Sequence, residues 1–152
     1  MAEKIPIAAD HAGYDMKQIL SEHLKRRGFE VQDLGTNSHA STDYPDYAHP
    51  VAQEVSSGEV RRGVLLCGSG QGMAMAANRY PHVRAALAWN PEVAALSRAH
   101  NDANVLVIPS RCVSDDEARA MLDAWLDTPF EHGRHEPRVA KIDRPDDRRS
   151  NA

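Results

Sequence analysis

Apolar residues follow two rhythms along the chain, and these alternate from one end to the other. Lys4 to Ala9, Phe29 to Leu34, Val64 to Leu66, Val83 to Trp89 and Asn104 to Pro109 are short runs, alternating or continuously apolar. Such runs read as strands, the continuous ones as strands buried on both faces. Between them, apolar side chains recur at helical spacing: Met16, Ile19, Leu20, His23 and Leu24; Ala48, Val51, Ala52 and Val55; the Ala- and Met-rich stretch Met73 to Asn78; Val93 with Leu96; and Ala118, Met121, Leu122, Trp125 and Leu126. Gly28 and Gly58 close the first two of these helices. Asn90-Pro91-Glu92 supplies a cap, a first-turn proline and a first-turn acid for the fourth. Ser114 with Glu117 spells a capping box for the last. Pro50 fits the second helix only if it lies in the first turn.

Strand and helix thus alternate five times, which predicts an α/β fold. The expected form is a Rossmann-like three-layer sandwich with a five-stranded parallel sheet. The polar stretch from Thr36 to Tyr47 reads as a loop long enough to be functional. Beyond Pro129 the chain is charged and has few apolar anchors. This tail predicts a C-terminal helix from about residue 130 that reaches to a partner subunit, ending loosely over 144–152.

At 152 residues the chain is expected to form one domain, residues 1–152, with a sizeable core. A net charge of −4 gives no reason to expect nucleic-acid binding. No apolar run suits a membrane span, and Met-Ala-Glu-Lys-Ile-Pro lacks a signal-peptide core, so a cytoplasmic protein is expected. Two cysteines, Cys67 and Cys112, make no disulfide framework, and no Cys/His spacing suggests a metal site. Eight histidines are a rich supply of groups that titrate near neutrality.

Cys67 stands at the end of the central strand and is followed by Gly68-Ser69-Gly70-Gln71-Gly72. Neither the dinucleotide fingerprint nor a P-loop matches this spacing. The loop is either an anion or oxyanion cradle at a helix N-terminus or a plain tight turn. In a cradle the thiol pKa should fall, fitting Cys67 as nucleophile or general base. Cys112 lacks such a setting and reads as structural. His11 beside Asp10 and His100 beside Asn101 are expected at element ends on the same side of the sheet as Cys67. His23, His39, His49, His82 and His132 read as surface groups. Arg134 and Arg138, with Arg111 able to join them, form either a solvated basic face or a fork for phosphate.

Six motifs in order extend these readings: Asp10-His11-Ala12-Gly13; Thr42-Asp43-Tyr44-Pro45; Cys67 to Gly72; Ala76-Ala77-Asn78; Ser97 to Asp102; and Gly133-Arg134-His135 with Arg138-Val139. Together they resemble the type B ribose-5-phosphate isomerases, the family that includes galactose-6-phosphate isomerase subunits, from about Ile5 to Val139. The resemblance implies a cofactor-free, metal-free aldose–ketose isomerase acting through a cis-enediolate. It implies Cys67 as the base, with Gly68, Ser69, Gly70, Gln71 and Gly72 around the developing oxyanion. His100, helped by Asp10, would open the sugar ring. His11, Arg134 and Arg138 would grip the phosphate, with Arg111 and His135 nearby, while Tyr44 and Asn101 would line the sugar. It further implies a homodimer, or a tetramer, with shared sites. Many members carry Thr where this chain has Ser69, which keeps the hydroxyl. One branch replaces the cysteine by a glutamate just after the glycine loop; here that position is Met73, which leaves Cys67 as the base. An isomerase of a six-carbon sugar phosphate, a non-catalytic nucleotide-binding module and a cysteine hydrolase are the rival readings.

Overall fold

The computed structural model describes residues 1–144; residues 145–152, most of the expected loose end, lie outside the described residues. The first half of the fold runs β1 (Lys4–Ala9), α1 (Tyr14–Arg26), β2 (Glu30–Asp33), α2 (Pro45–Ser56), β3 (Gly63–Cys67) and α3 (Gln71–Ala77). It continues with β4 (Ala85–Leu87), α4 (Pro91–Ala99), β5 (Val105–Pro109), α5 (Asp115–Asp127) and α6 (Glu136–Ile142). The strands form one parallel sheet in the order β2-β1-β3-β5-β4. The Rossmann-like sandwich is therefore present, with the last two strands exchanged in place.

Side-chain alternation explains the layers. Ile5, Ile7, Val64, Leu66, Leu106 and Ile108 face α1, α4 and α5, whose Leu20, Leu24, Ala94, Met121 and Trp125 complete one core. Ala8, Leu65, Cys67, Val105 and Val107 face the opposite way, against α2 and α3 with Val51, Val55, Met73 and Ala77. Steps toward β2 or back from β4 carry their helices on the first face, and steps the other way carry theirs on the second. This is the pattern right-handed crossovers require. Between β1 and β3 the chain leaves toward opposite faces, which opens a crevice at their carboxyl ends.

Most of the expected ends hold. Asn90 accepts a hydrogen bond from Val93 N–H at 2.8 Å, and both arms of the Ser114–Glu117 box are made. Pro50 is the exception. Helix α2 starts at Pro45, so Pro50 lies inside it rather than in its first turn. Pro45 takes the first helical position, and half-buried Pro50 removes one internal hydrogen bond while Ala48, Val51, Ala52 and Val55 stay buried. The polar loop is correspondingly shorter.

Lys17 is fully buried in α1 although the pattern gives no sign of it. Its Nζ reaches Asp33 Oδ2 at 2.6 Å and Gln18 Oε1 at 3.1 Å, and lies 5.5 Å from the centre of the Tyr14 ring. The Asp33 side chain is 37% exposed, so solvent shares the pair. Asp33→Ala should leave the ammonium uncompensated and lower stability by about 2 kcal/mol, less than the about 3–5 kcal/mol of a fully enclosed pair. Adding Lys17→Met to that variant should recover most of the loss. Urea denaturation of the two singles and the double checks this.

Candidate active site

Cys67 closes β3 with its side chain directed to the α2–α3 face, 5% exposed. The loop after it turns through Gly70 at φ +78°, where a Cβ would stand 2.5 Å from Leu87 Cδ1. Only glycine combines that conformation with that approach. The turn directs the backbone N–H groups of Met73, Gly70 and Gly72 at the Cys67 sulfur. Gly72 admits the Tyr44 ring, 2.5 Å from where its Cβ would be, and Gly68 admits the Arg111 side chain. Arg111 N–H also donates to the Gly68 carbonyl at 3.0 Å. Ser69 is exposed, its Oγ accepting from Gln71 N–H at 3.4 Å.

The expected fall of the thiol pKa is not found. Burial pushes the Cys67 thiol up, the three N–H groups pull it back in part, and the charge of Asp10 adds to the rise. Desolvation of a thiolate wins over three dipoles here. Cys112, taken as structural, is instead exposed, with Sγ 4.0 Å from the Gly68 carbonyl.

At the end of β1, Asp10 is buried and accepts from Ala12 and Gly13 N–H at 3.0 and 3.2 Å. Gly13 is needed there because a Cβ would meet Leu66 Cβ at 2.8 Å. His11 is half-buried and exchanges two hydrogen bonds with Thr42. The His11 N–H donates to Thr42 Oγ1 at 3.2 Å, and Thr42 N–H donates to His11 Nδ1 at 3.1 Å. The carboxyl edge of the sheet thus carries Asp10, His11, Tyr44, Cys67, the loop Gly68–Gly72 and Arg111.

His100 and its neighbours lie elsewhere. Helix α4 starts after the carboxyl end of β4 and runs antiparallel to the strands, so His100, at its C-terminal end, sits at the amino edge. Asn104 C=O, four residues on, accepts from Gly63 N–H at the start of β3. The expected placement of His100 beside Cys67 is therefore corrected: five residues of strand, about 15 Å, separate the two edges. The tail joins His100, because α5 descends to the same edge. Glu131 N–H donates to Ala99 C=O at 3.0 Å. The His100 and His135 rings stack at 4.4 Å, with 14° between their planes. Glu131 Oε1 lies 3.5 Å from His135 Nε2 and 3.9 Å from His100 Nε2. Burial, with His100 and Arg134 nearby, lowers the His135 pKa and favours the neutral ring. Arg134, in a short 3₁₀ turn, and Arg138, in α6, are both exposed, as is Asn101.

Among the described residues, His100, Glu131 and His135 are the group whose ligand atoms come together, within 4.8 Å. A cavity of about 620 Å³ at this edge is lined by Arg84 and Ile142 among others, and Asn101 is the one expected site residue in its wall. The crevice at Cys67 is where donors converge on a reactive atom.

Of the histidines read as surface groups, His39, His82 and His132 are exposed, while His23 and His49 are half-buried. His23 pairs with Asp123 at 2.7 Å, His39 with Asp15 at 2.8 Å and His132 with Glu136 at 2.9 Å. His49 Nδ1 lies 2.8 Å from the Tyr80 hydroxyl, and His82 adopts φ +66°. Reasoning from the sequence passed over Thr42 and Glu131 as site residues. A hydroxyl two residues before Tyr44, and an acid four before His135, were the available signals. No helix among the described residues is long and apolar enough to cross a membrane.

The sequence model of a family described as Ribose/Galactose Isomerase matches residues 5–142. Ribose-5-phosphate isomerase B of Escherichia coli is 45% identical over 148 residues, covering 97% of this chain and 99% of that protein. A solved ribose 5-phosphate isomerase from Thermotoga maritima superposes with a TM-score of 0.91 at 49% identity, covering 94% of this chain and 99% of its own. Ribose-5-phosphate isomerase B from Mycoplasma genitalium, solved with ribulose-5-phosphate bound, gives 0.92 at 46% identity, with 97% and 98% covered.

The two thiols should differ in reactivity. Iodoacetamide at pH 7.5 should label exposed Cys112 well before Cys67, and Cys67 labelling should accelerate as rising pH populates its thiolate. Peptide mapping over time checks the order.

Proposed function

The chain belongs to the Ribose/Galactose Isomerase family, and from that premise we propose how its residues interconvert ribose 5-phosphate and ribulose 5-phosphate. The observation that carries the mechanism is the Cys67 sulfur facing three backbone N–H groups in a buried glycine cradle. In the open-chain aldose, Cys67 Sγ as thiolate takes the proton from C2. The electron pair moves into a C1–C2 double bond and charge develops on O1. The same Sγ returns the proton to C1 while a hydroxyl proton passes from O2 to O1, leaving the ketose. Donors fixed before the reaction favour the enediolate over the ground state, and one such donor is commonly worth ~10²–10³ in rate. Tyr44, Ser69, Gln71 and Asn101 line the sugar, and Asp10 supports opening of the ring at His100.

Two edges of one sheet cannot meet within one chain. The opposite placement of Cys67 and His100 therefore supports a homodimer in which a second copy brings His100, Asn101, Arg134, His135 and Arg138 to the Cys67 edge. There the two arginines join His11 and Arg111 in holding the dianionic phosphate. Their positive charge also offsets the burial that disfavours the Cys67 thiolate. Phosphate binding, remote from C1 and C2, positions the reacting carbons. A relative solved around ribulose-5-phosphate favours the five-carbon reaction over a hexose phosphate, and the full set of site residues in one chain argues against an isomerase built from two different subunits. The reaction uses no cofactor, and a cytoplasmic location suits it.

Cys67→Ala should bind ribose 5-phosphate but lose turnover by orders of magnitude, and His100→Ala should be severely impaired. Refolding these two variants together should restore about a quarter of wild-type turnover, because each mixed dimer holds one intact pair. A mixture as inactive as its parents would refute shared sites, and near-normal Cys67→Ala would refute the base. Arg138→Ala should raise KM and move the pH limb of kcat/KM upward, since a cation that favours the thiolate is lost.

A further inference from the structure

The His11–Thr42 pair carries more information than a contact between a strand end and a loop. A backbone N–H can only donate, so the His11 Nδ1 that faces Thr42 N–H at 3.1 Å must be the unprotonated nitrogen. The neutral ring then carries its proton on Nε2, which has no hydrogen-bond partner among the described residues. Thr42 closes the exchange from the other side, its Oγ1 accepting the His11 backbone N–H at 3.2 Å. We infer that Thr42 is a positioning residue: it fixes His11 as the Nε2–H tautomer and so turns a neutral N–H donor toward the phosphate of the substrate.

The inference rests on the reading of His11 as a phosphate ligand. Neighbouring groups agree with it. Asp10 Oδ1 accepts Ala12 and Gly13 N–H, and among the described residues no hydrogen bond joins that carboxylate to the His11 ring. His39, in the same loop, is tied to Asp15 at 2.8 Å and sits edge-on to Tyr14 at 4.9 Å, a second anchor that keeps Thr42 near His11. Two residues after Thr42 comes Tyr44, whose ring covers Gly72. The clasp therefore sets the phosphate donor and the loop over the cradle in one arrangement. A doubly protonated ring would set donor against donor at Thr42.

The test needs Thr42→Val, which keeps shape and backbone N–H but loses the oxygen, and Thr42→Ser, which keeps the oxygen. Nitrogen-15 NMR of the histidine rings at pH 7.5, without ligand, should report one His11 tautomer with the proton on Nε2 in wild type and in Thr42→Ser. Thr42→Val keeps the Thr42 N–H but loses the Oγ1 bond that draws it up to Nδ1, so the ring should be released to a mixture. Titration with inorganic phosphate should then show affinity weakened about tenfold in Thr42→Val, the scale of one hydrogen bond. KM for ribose 5-phosphate should rise alike, kcat should change far less, and Thr42→Ser should restore both. A wild-type ring protonated on Nδ1 would overturn the inference, and so would a Thr42→Val ring and phosphate affinity unchanged from wild type. The wild-type spectrum decides even if Thr42→Val folds poorly. Absence of isomerase activity in wild type would count against the proposed reaction and leave the ring measurement standing.

Discussion

A parallel sheet sends all its strands one way, and each connecting helix must carry the chain back. That constraint governs everything chemical in this molecule. Whatever follows a strand lies at the carboxyl edge, and whatever follows a helix lies at the amino edge. Asp10, His11, Cys67 and Arg111 follow strands; His100 and the arginine-bearing tail follow α4 and α5. No loop movement of ordinary size joins groups a whole strand apart. The choice of parallel topology, made by buried runs such as Val64-Leu65-Leu66, thus puts the thiol and His100 at opposite edges of one copy.

At the carboxyl edge, the Cys67 thiol is set by a contest between burial and backbone dipoles. The cradle that aims three N–H groups at Cys67 also removes the sulfur from water, and burial wins. The glycines matter because of what leans on them: Leu87 at Gly70, Tyr44 at Gly72, Arg111 at Gly68. Side chains there would hold the walls apart and lengthen every donor's reach. Tight packing and raised pKa are consequences of the same closeness.

Much of this was legible in the chain. Apolar rhythm located all five strands, and the caps at Asn90 and Ser114 located their helices, because those signals are local. Relations between distant segments were not legible. That α2 begins at Pro45 depends on packing of Ala48 and Val51 against the sheet, which outweighs the bond lost at Pro50. Lys17 is buried because Asp33, sixteen residues on, meets it. His100 ends its helix as expected, but which edge that end occupies depends on the direction of α4 against β4 and β5. The thiol pKa needed the balance of burial and donors, and spacing reports neither.

The proposed pairing of opposite edges has an evolutionary consequence. Each copy of the gene encodes both the thiol edge and the histidine–arginine edge, and in the proposed homodimer any one site draws one edge from each of two chains. After a duplication, one descendant could lose its thiol and the other its histidine while their mixed assembly kept a working centre. A fold of this kind carries, in the direction of its strands, a ready route from a self-pairing enzyme to one that obliges two different genes to be expressed together.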